Sequence, residues 1–300
     1  MRLGLTQIKL LLALDKHQLN LTRAAAELNI VQPAATRQLR LLEETLGIRL
    51  FEREGKRLKA WTAPGCAILE QARVMVMAEK NILTLAQAAK SEEEEITLAT
   101  THTQAKYYLP SRLRQFREHY PHVQLHIVQG APCELVNWLK NSDVDLALCT
   151  EAIAAANSLE RRFCYRWHYV LIAPVQHPLL EKSALKLADI VQYPVLTYSR
   201  GFSGGAQIGQ AFQAEGLNVR FAVRAADTDV IKTYVREGLG VGIIAQQGYD
   251  AQQDQGLGAR SLAALLPENE TFVAWRKSQV LTPAQQAFVS LLQTQDLTDA

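Results

Sequence analysis

The length and composition of the chain indicate a multi-domain globular protein. Its 300 residues are 48% apolar, which is enough to bury substantial cores, and a chain of this length usually folds as two or three domains. The sequence MRLGLTQIKLLLALDKHQLNLT contains an apolar stretch that is too short and too interrupted to span a bilayer, and no small-residue cleavage site follows it. We therefore expect a cytoplasmic protein with no membrane partner.

Neither a metal site nor a disulfide framework is predicted. The cysteines are far apart and form no C-x-x-C pair, so buried free thiols are expected at Cys66, Cys133, Cys149 and Cys164. His119, His122 and His126 are close in sequence, but Pro121 would break any helix that aligned them. The last two histidines instead share the polar face of an alternating strand.

Charge is distributed unevenly along a chain whose formal net charge is only +2. Residues 1–90 hold 14 Lys and Arg against 8 Asp and Glu, a net charge of +6. Residues 91–300 hold 18 against 22, a net charge of −4. The N-terminal third is therefore the part suited to a polyanion.

Three short helices are predicted at the start of the chain. Thr6 can cap the first, which would run to about Lys16, and Thr22 can cap the second over RAAAELNI, with Ala26 among its inward residues. The third begins near Pro33 in the sequence IVQPAATRQLRLLEETLG, and its final glycine is placed to end it. The second and third helices, joined by a short turn, make a helix-turn-helix.

The outward face of the third helix is suited to reading DNA. Gln and Arg side chains match adenine and guanine edges, while Thr and Arg also reach phosphates. The segment IRLFEREGKRLKAWT alternates like a small hairpin that turns at Glu54 and Gly55, and would form a basic wing. The residues predicted to contact double-stranded DNA are Thr22, Gln32, Pro33, Thr36, Arg37, Gln38, Arg40, Arg53, Lys56 and Arg57. A three-helix interaction module with a solvated basic face is the less favoured alternative.

One long helix is predicted from Pro64 to about Lys90, roughly 40 Å in length. Its apolar residues recur at about heptad spacing, at Ile68, Ala72, Met75, Ile82, Ala86 and Ala89. A rod cannot bury such a stripe alone, so we expect the same helix of a second copy as its partner. Packing on its own domain is the alternative for part of the length. The acidic run AKSEEEE, residues 89–95, is interpreted as a solvated hinge.

From residue 96 the pattern changes to strands that alternate with helices. The predicted strands are ITLAT, VQLHIV, VDLALCT, YVLIAPV, PVLTY, VRFAV, VGIIA and TFVAW. The predicted helices are PSRLRQFREHY, PCELVNWLK, GGAQIGQAFQAEG, DTDVIKTYVREG and TPAQQAFVSLLQ. This alternation predicts parallel sheets flanked by helices, and the remaining length supplies two such units.

Polar groups follow three of these strands. TTHTQ, residues 100–104, lies between the first strand and a helix; Thr150 closes VDLALCT; and Ser203 follows PVLTY with the amides of Gly204 and Gly205. Ligands of open α/β sheets bind at the carboxyl ends of strands, and uncharged donors without a carboxylate suit a small anion. Taken singly, each group is more often a helix cap, but the three could converge in one cleft.

Two long segments carry a resemblance to a known family. They are LTRAAAELNIVQPAATRQLRLLEETLGIRLFERE and TYVREGLGVGIIA, and over nearly its whole length the chain resembles the LysR-type transcriptional regulators. The segments ATTHTQAKYYLP, HVQLHIVQGAP, YPVLTYSRGFSGG and DTDVIKTYVREGLGVGIIA are similar to the branch that contains CysB and Cbl, activators of cysteine biosynthesis and sulfur-source genes.

The resemblance implies an α/β multi-domain fold. A winged helix-turn-helix domain would occupy residues 1–60, a linker and dimerisation helix 61–91, and a two-lobed effector domain like a periplasmic binding protein 92–300. Lobe I would hold about 92–165 and 269–295, and lobe II about 166–268. The resemblance also implies a homotetramer, RNA polymerase as a further partner, and sulfate or O- or N-acetylserine as the effector, with no other cofactor.

The resemblance also implies which residues contact the effector. They are Thr101, Thr103, Gln104, Thr150, Trp167 and, in the second lobe, Ser203. The branch pattern G-F-T-G-R-S is GFSGGA in this chain, so Ser203 keeps a hydroxyl while Gly205 replaces the Arg. The loss of that Arg leaves the identity of the effector open, and Arg200 is another possible source of positive charge.

The sequence therefore predicts a DNA-binding regulator of sulfur assimilation or cysteine biosynthesis genes that responds to a small anion or an acetylserine. Three alternatives remain: a regulator of another pathway with a different small carboxylate effector, a structural DNA-binding protein that ignores metabolites, and an enzyme in the α/β part. The enzyme is disfavoured because the chain has no Walker loop, G-x-G-x-x-G turn or metal-spaced set.

Overall fold

The computed structural model describes residues 3–55, 57–88, 94–156, 158–202 and 204–293, and describes only the backbone of residues 87, 88 and 151. Lys56, Ser203 and most of the acidic run lie outside these residues. The chain divides into two compact units, the first within residues 1–91 with the short segments 140–143 and 278–282, and the second within the other residues. No helix in the described ranges is long and apolar enough to cross a membrane.

The first unit contains a helix-turn-helix followed by a wing, as predicted. Its elements are α1 (Leu5–Lys16), α2 (Leu21–Glu27), α3 (Gln32–Leu46), the antiparallel hairpin β1 (Phe51–Glu54) and β2 (Arg57–Trp61), and α4 (Ala63–Ala88). Leu14 of α1 and Leu42 of α3 are fully buried in the core that these helices share. Gly47 ends α3 in the left-handed conformation, with φ of 70°, because glycine adopts that backbone geometry without steric strain.

The caps of the first two helices differ from those predicted. Thr6 lies inside the first turn of α1 and not ahead of it. Asn20, rather than Thr22, caps α2, since its side chain accepts a hydrogen bond from the Arg23 amide at 3.1 Å. Ala26, which was expected to face inward, is exposed, because the buried face of α2 is formed by Ala24 and Ala25.

The apolar side chains of α4 fall into two groups, one buried and one exposed. Leu69 and Ala72 are buried in the core of the same unit, so this part of the stripe packs on its own domain, which was the alternative to a partner helix for part of the length. Further along the helix, large apolar side chains are exposed at Val74, Met75, Ile82, Leu83 and Leu85. The second half of α4 therefore carries an apolar surface that nothing in the described chain covers.

The second unit contains two five-stranded sheets. Its strands are β3 (Glu95–Thr100), β4 (Gln124–Gln129), β5 (Leu146–Cys149), β6 (Leu159–Trp167), β7 (Tyr169–Pro174), β8 (Val195–Tyr198), β9 (Phe221–Ala225), β10 (Val241–Ala245), β11 (Leu257–Ser261) and β12 (Asn269–Arg276). Its helices are α5 (His102–Tyr107), α6 (Leu109–His119), α7 (Pro132–Asn141), α8 (Glu151–Ala154), α9 (Pro178–Glu181), α10 (Leu187–Ile190), α11 (Gly205–Ala214), α12 (Thr228–Arg236) and α13 (Pro283–Leu291).

Each sheet forms the centre of one lobe. The strand order is β4-β3-β5-β12-β6 in lobe I and β11-β7-β10-β8-β9 in lobe II, so the predicted two-lobed α/β architecture is confirmed. The sheets are mixed, however, and not parallel as predicted. β12 runs antiparallel to β5 and β6, and β7 runs antiparallel to β10 and β11. Parallel neighbours arise from strand-helix-strand crossovers within one sheet, whereas β7 and β12 are the strands with which the chain enters lobe II and returns to lobe I.

Two strands were missing from the sequence prediction, and both are edge strands. β6 pairs only with β12, and β11 pairs only with β7. β6 has the sequence LERRFCYRW, in which exposed Arg161 and Arg162 interrupt the apolar alternation. Edge strands have one unpaired side and tolerate such charged residues, so alternation is a weak signal for them.

The four cysteines are free thiols, but only two are buried. Cys149 and Cys164 lie in the sheet of lobe I, whereas Cys66 and Cys133 are exposed, so the prediction of burial is wrong for the latter pair. Burial raises the pKa of the Cys164 thiol to about 12, which keeps it protonated and inert.

Candidate functional site

The residues predicted to contact DNA lie mostly on exposed surfaces of the first unit. Those that are exposed are Thr22, Gln32, Pro33, Thr36, Arg37, Arg40, Arg53 and Arg57, while Gln38 is half-buried. Arg37 on α3 and Arg57 on β2 make no ion pair with any described residue, so their guanidinium groups are available to a partner. Arg40 donates to Glu44 at 2.7 Å, but this exposed pair exchanges easily for a phosphate.

Arg53 has a structural role that the sequence did not indicate. Its guanidinium donates to Glu43 of α3 at 2.7 Å, and the same carboxylate accepts a hydrogen bond from the Leu50 amide at 2.8 Å. The Glu43 side chain is only 15% exposed. This ion pair fastens the wing to α3, so Arg53 positions the wing whether or not it also contacts DNA.

A small cavity lies between the two lobes of the second unit. Its lining residues are Thr101, Thr103, Gln104, Thr150, Trp167, Tyr198, Phe202, Ala226, Ala245 and Gln247. Five of the six residues predicted to contact an effector are therefore brought together, and the sixth, Ser203, lies outside the described residues. The volume of this cavity that is open to the centres of water molecules is about 20 Å³. That volume suits a water molecule or the closely spaced oxygens of a small ion.

The lobe I wall is held by a set of side-chain contacts. Thr101 hydrogen-bonds to the Gln104 side chain, and Gln104 Nε2 lies 3.4 Å from Thr271 Oγ1 on β12. Trp167 donates from its indole nitrogen to the same Thr271 oxygen at 3.2 Å. Thr101 stands at the start of α5, yet its side chain makes no capping hydrogen bond. Its hydroxyl instead donates to the side-chain oxygen of Gln104.

Thr150 carries an unsatisfied hydroxyl. The residue is only 2% exposed, and its Oγ1 has no hydrogen-bond partner among the described residues. Most buried polar atoms in folded proteins are hydrogen-bonded, so each exception calls for an explanation. Because Thr150 lines the cavity, a ligand there is the simplest partner for this hydroxyl.

The lobe II wall continues from lobe I through hydroxyl groups. Thr103 Oγ1 on α5 lies 3.0 Å from Thr228 Oγ1 on α12, and that oxygen lies 2.8 Å from the Tyr198 hydroxyl. Tyr198 in turn accepts a hydrogen bond from the Ala245 amide at 3.0 Å. Burial raises the pKa of Tyr198, so the phenol stays neutral and keeps its hydrogen.

A charged cluster joins the lobes beside this wall. Asp229 of α12 accepts hydrogen bonds from Lys106 at 2.5 Å and from Tyr107 at 2.7 Å, both on α5, and pairs with Lys232 at 3.2 Å. Burial alone would raise the pKa of Asp229, but the hydrogen bonds from these donors outweigh it and hold the pKa below its usual value. The carboxylate is therefore ionised and neutralised by cations, and it is not among the residues that line the cavity.

Several lining residues were missed from the sequence. Tyr198 and Gln247 both follow or end strands of lobe II, so the rule that singled out Thr150 could have found them. Phe202 lies in a loop, where nothing in the sequence marks it. The Gly205 amide, expected to be available to a ligand, is already bonded to the Phe202 carbonyl at 3.1 Å, and Arg200 is not among the described lining residues.

Comparison with known proteins agrees with this architecture. Residues 5–65 match the model for the bacterial regulatory helix-turn-helix protein, lysR family, and residues 89–296 match the LysR substrate binding domain. The HTH-type transcriptional regulator CysB of Burkholderia cenocepacia is 35% identical over 97% of this chain and 93% of its own length. The regulator Cbl of Escherichia coli is 36% identical over 91% of this chain and 87% of its own length.

A solved structure provides a third comparison. The cofactor-binding domain of the Cbl transcriptional regulator is 35% identical, covers 67% of this chain and 88% of its own, and superposes with a TM-score of 0.64. A winged helix-turn-helix with a two-lobed α/β domain defines a DNA-binding transcriptional regulator and not an enzyme. The chain belongs to the LysR family, and the resemblance to its CysB and Cbl branch is confirmed.

The unsatisfied hydroxyl of Thr150 predicts an unusual response to substitution. Thr150→Val removes a buried polar group that has no described partner, so the protein without ligand should be unchanged or about 1 kcal/mol more stable. Thr100→Val is the matched control, because that hydroxyl is equally buried but donates to the Leu148 carbonyl at 3.0 Å. It should cost about 1 kcal/mol. Chemical denaturation of both variants tests this, and equal destabilisation would mean that the Thr150 hydroxyl is satisfied.

Proposed function

We propose that this regulator senses a small oxyanion, sulfate in the first place, in the cavity between its lobes. The observation that carries this proposal is the buried, unpartnered Thr150 hydroxyl in a cavity lined by neutral hydroxyl and amide groups. None of the described lining residues carries a carboxylate that would repel an anion. The likeness to CysB and Cbl supports target genes of sulfur assimilation or cysteine biosynthesis.

The size of the cavity favours an inorganic ion over an acetylated serine. The cavity leaves about 20 Å³ open to the centres of water-sized atoms, which accommodates a few oxygen atoms in close contact. O- or N-acetylserine is longer and would enter only if the lobes moved apart. A regulator with another small carboxylate effector is the second candidate, because the same neutral donors also suit a carboxylate.

Effector binding would act through the contacts between the lobes. Thr103 and Thr228 meet across the cavity wall, and Lys106 and Asp229 meet beside it. A ligand that prefers one lobe arrangement shifts the equilibrium toward it, whereas equal affinity for both shifts nothing. The altered lobe packing would change the spacing or angle of paired recognition helices. A coupling of about 1–3 kcal/mol is enough for a roughly 5- to 150-fold change in promoter affinity.

Titration calorimetry with sulfate tests the effector. Thr101→Ala and Thr103→Ala should each weaken sulfate binding about tenfold or more, since a hydrogen bond to a charged group contributes roughly 1.5–3 kcal/mol. Thr233→Ala is the control, because that hydroxyl is exposed on α12 and bonds only to its own helix. Parallel titration with O-acetylserine ranks the two effectors. Unchanged affinities in both cavity variants would favour a DNA-binding protein that ignores metabolites.

We further propose that α3 reads bases in the major groove while the wing contacts the flanking backbone. Arg37→Ala should reduce discrimination between operator and random DNA by about 1–3 kcal/mol. Arg57→Ala should weaken binding to all sequences alike and lower the salt slope by about one. Binding measured on both DNAs over a range of salt concentrations separates the two roles. If the variants behave alike, the division between base and backbone contacts is wrong.

Self-association is proposed to use the exposed apolar surface of α4, giving a homodimer that pairs into a homotetramer. Ile82 is 67% exposed within one chain, so Ile82→Glu should leave the fold of the monomer intact while it weakens association. Gln71→Glu adds the same charge at an exposed polar position of the helix and serves as the control. Sedimentation equilibrium measures the effect. An Ile82→Glu protein that assembles like the control would exclude this surface.

A further inference from the structure

Three hydroxyl groups and one backbone amide form a continuous chain along the cavity wall. The Ala245 amide donates to the Tyr198 hydroxyl at 3.0 Å, Tyr198 lies 2.8 Å from Thr228 Oγ1, and Thr228 lies 3.0 Å from Thr103 Oγ1. Tyr198 is 3% exposed and Thr228 is 1% exposed. Bulk water is therefore not available to hydrogen-bond with Tyr198 and Thr228.

The hydrogens of this chain outnumber its internal contacts. Each hydroxyl carries one hydrogen, so three hydrogens are available, but two hydroxyl-to-hydroxyl contacts can use only two of them. The Ala245 amide adds one more donor to the chain, and it occupies an acceptor site on the Tyr198 oxygen. With these two contacts, one hydroxyl hydrogen is in surplus. It needs an acceptor, and the cavity is the space that the chain borders.

The amide also gives the chain a direction. A backbone N–H can only donate, so Tyr198 must receive at its oxygen, and a hydroxyl that receives a hydrogen bond becomes a stronger donor. Tyr198 then donates most favourably to Thr228, and Thr228 to Thr103. Thr103 is the last member and lines the cavity, so its own hydrogen points toward whatever occupies that space.

We propose that Tyr198 and Thr228 are positioning residues that make Thr103 a donor, and that the cavity thereby selects an oxyanion without hydrogens over one that keeps a hydrogen. This inference rests on the proposed function, in which the cavity holds an anion. Sulfate offers only acceptors, whereas monohydrogen phosphate has similar size and charge but must place one hydrogen. A Thr103 that points its hydrogen into the cavity presents no lone pair there. The other acceptors of the lining, the Thr150 hydroxyl and the amide oxygens of Gln104 and Gln247, are weaker than a carboxylate.

The test is the ratio of sulfate affinity to phosphate affinity, measured by calorimetry on the full chain at about pH 8, where phosphate is mostly the dianion with one hydrogen. Wild type should prefer sulfate. Thr228→Val keeps the shape of the side chain but removes the link, so Thr103 becomes free to accept. We expect the ratio to fall about 3- to 10-fold, the equivalent of one neutral hydrogen bond. Thr228→Ser restores the hydroxyl and should restore the ratio.

A second variant keeps the test independent of how well one protein folds. Tyr198→Phe interrupts the same chain at another point and should lower the ratio in the same direction. If Thr228→Val and Tyr198→Phe weaken both anions equally and leave the ratio unchanged, the directed chain is overturned while sulfate sensing stands. If wild type binds neither anion, the proposed effector fails and the inference fails with it.

Discussion

The contact between the Thr103 and Thr228 hydroxyls is where the two lobes meet at the wall of the cavity. A neutral hydrogen bond of this kind contributes about 1 kcal/mol, so it fixes the geometry of the lobes without locking them. A charged contact at the same place would either bind the lobes tightly or attract an ion of one sign permanently. Because the wall itself is polar but uncharged, its contribution to holding the lobes together is comparable with the free energy that a small ligand can supply. The Lys106–Asp229 pair beside the wall also joins the lobes, but it is partly exposed and contributes little. That balance is what a binding-controlled switch requires.

The charged residues near the cavity serve a different purpose. Asp254 pairs with Lys232 at 3.0 Å and with Arg236 at 2.7 Å, and both cations lie on α12 behind Thr228. Lys232 and Asp254 are almost completely buried, and a buried ion pair contributes little net stability but tolerates few geometries. It therefore fixes the position of α12, and with it the position of Thr228. The two acidic groups of this cluster, Asp229 and Asp254, are each matched by cations.

The elements that the sequence predicted well are those whose signal is local. The helix-turn-helix, the end of α3 at Gly47 and the central strands depend on periodicity and on single conformational preferences within short segments. Thr101 and Thr150 could be found because strand ends have a regular place in α/β sheets. Thr228 and Thr271, which contact lining residues, could not be found, because they come from a helix start and an antiparallel strand whose positions are set by the packing of the other lobe or of β6. The edge strands β6 and β11 were not predicted for the same reason. Their charged residues are tolerated because one side of each strand is unpaired, and that pairing is known only from the packed structure.

The loop after β8 shows how the site differs from the pattern of its branch. A side chain at Gly205 would place its Cβ 2.3 Å from the Ser199 carbonyl oxygen and 2.6 Å from that of Tyr198, so this loop conformation excludes any residue larger than glycine. The Arg of the branch pattern therefore has no room here. Arg224 of β9 instead donates to the carbonyls of Tyr198 at 3.3 Å and Gly205 at 3.2 Å, and it does so without lining the cavity. A guanidinium that contacts an anion directly adds attraction for every oxyanion alike, protonated or not. Without that contact, the selection of an oxyanion in the proposed site would rest on the direction of individual hydrogen bonds and not on a general attraction for anions.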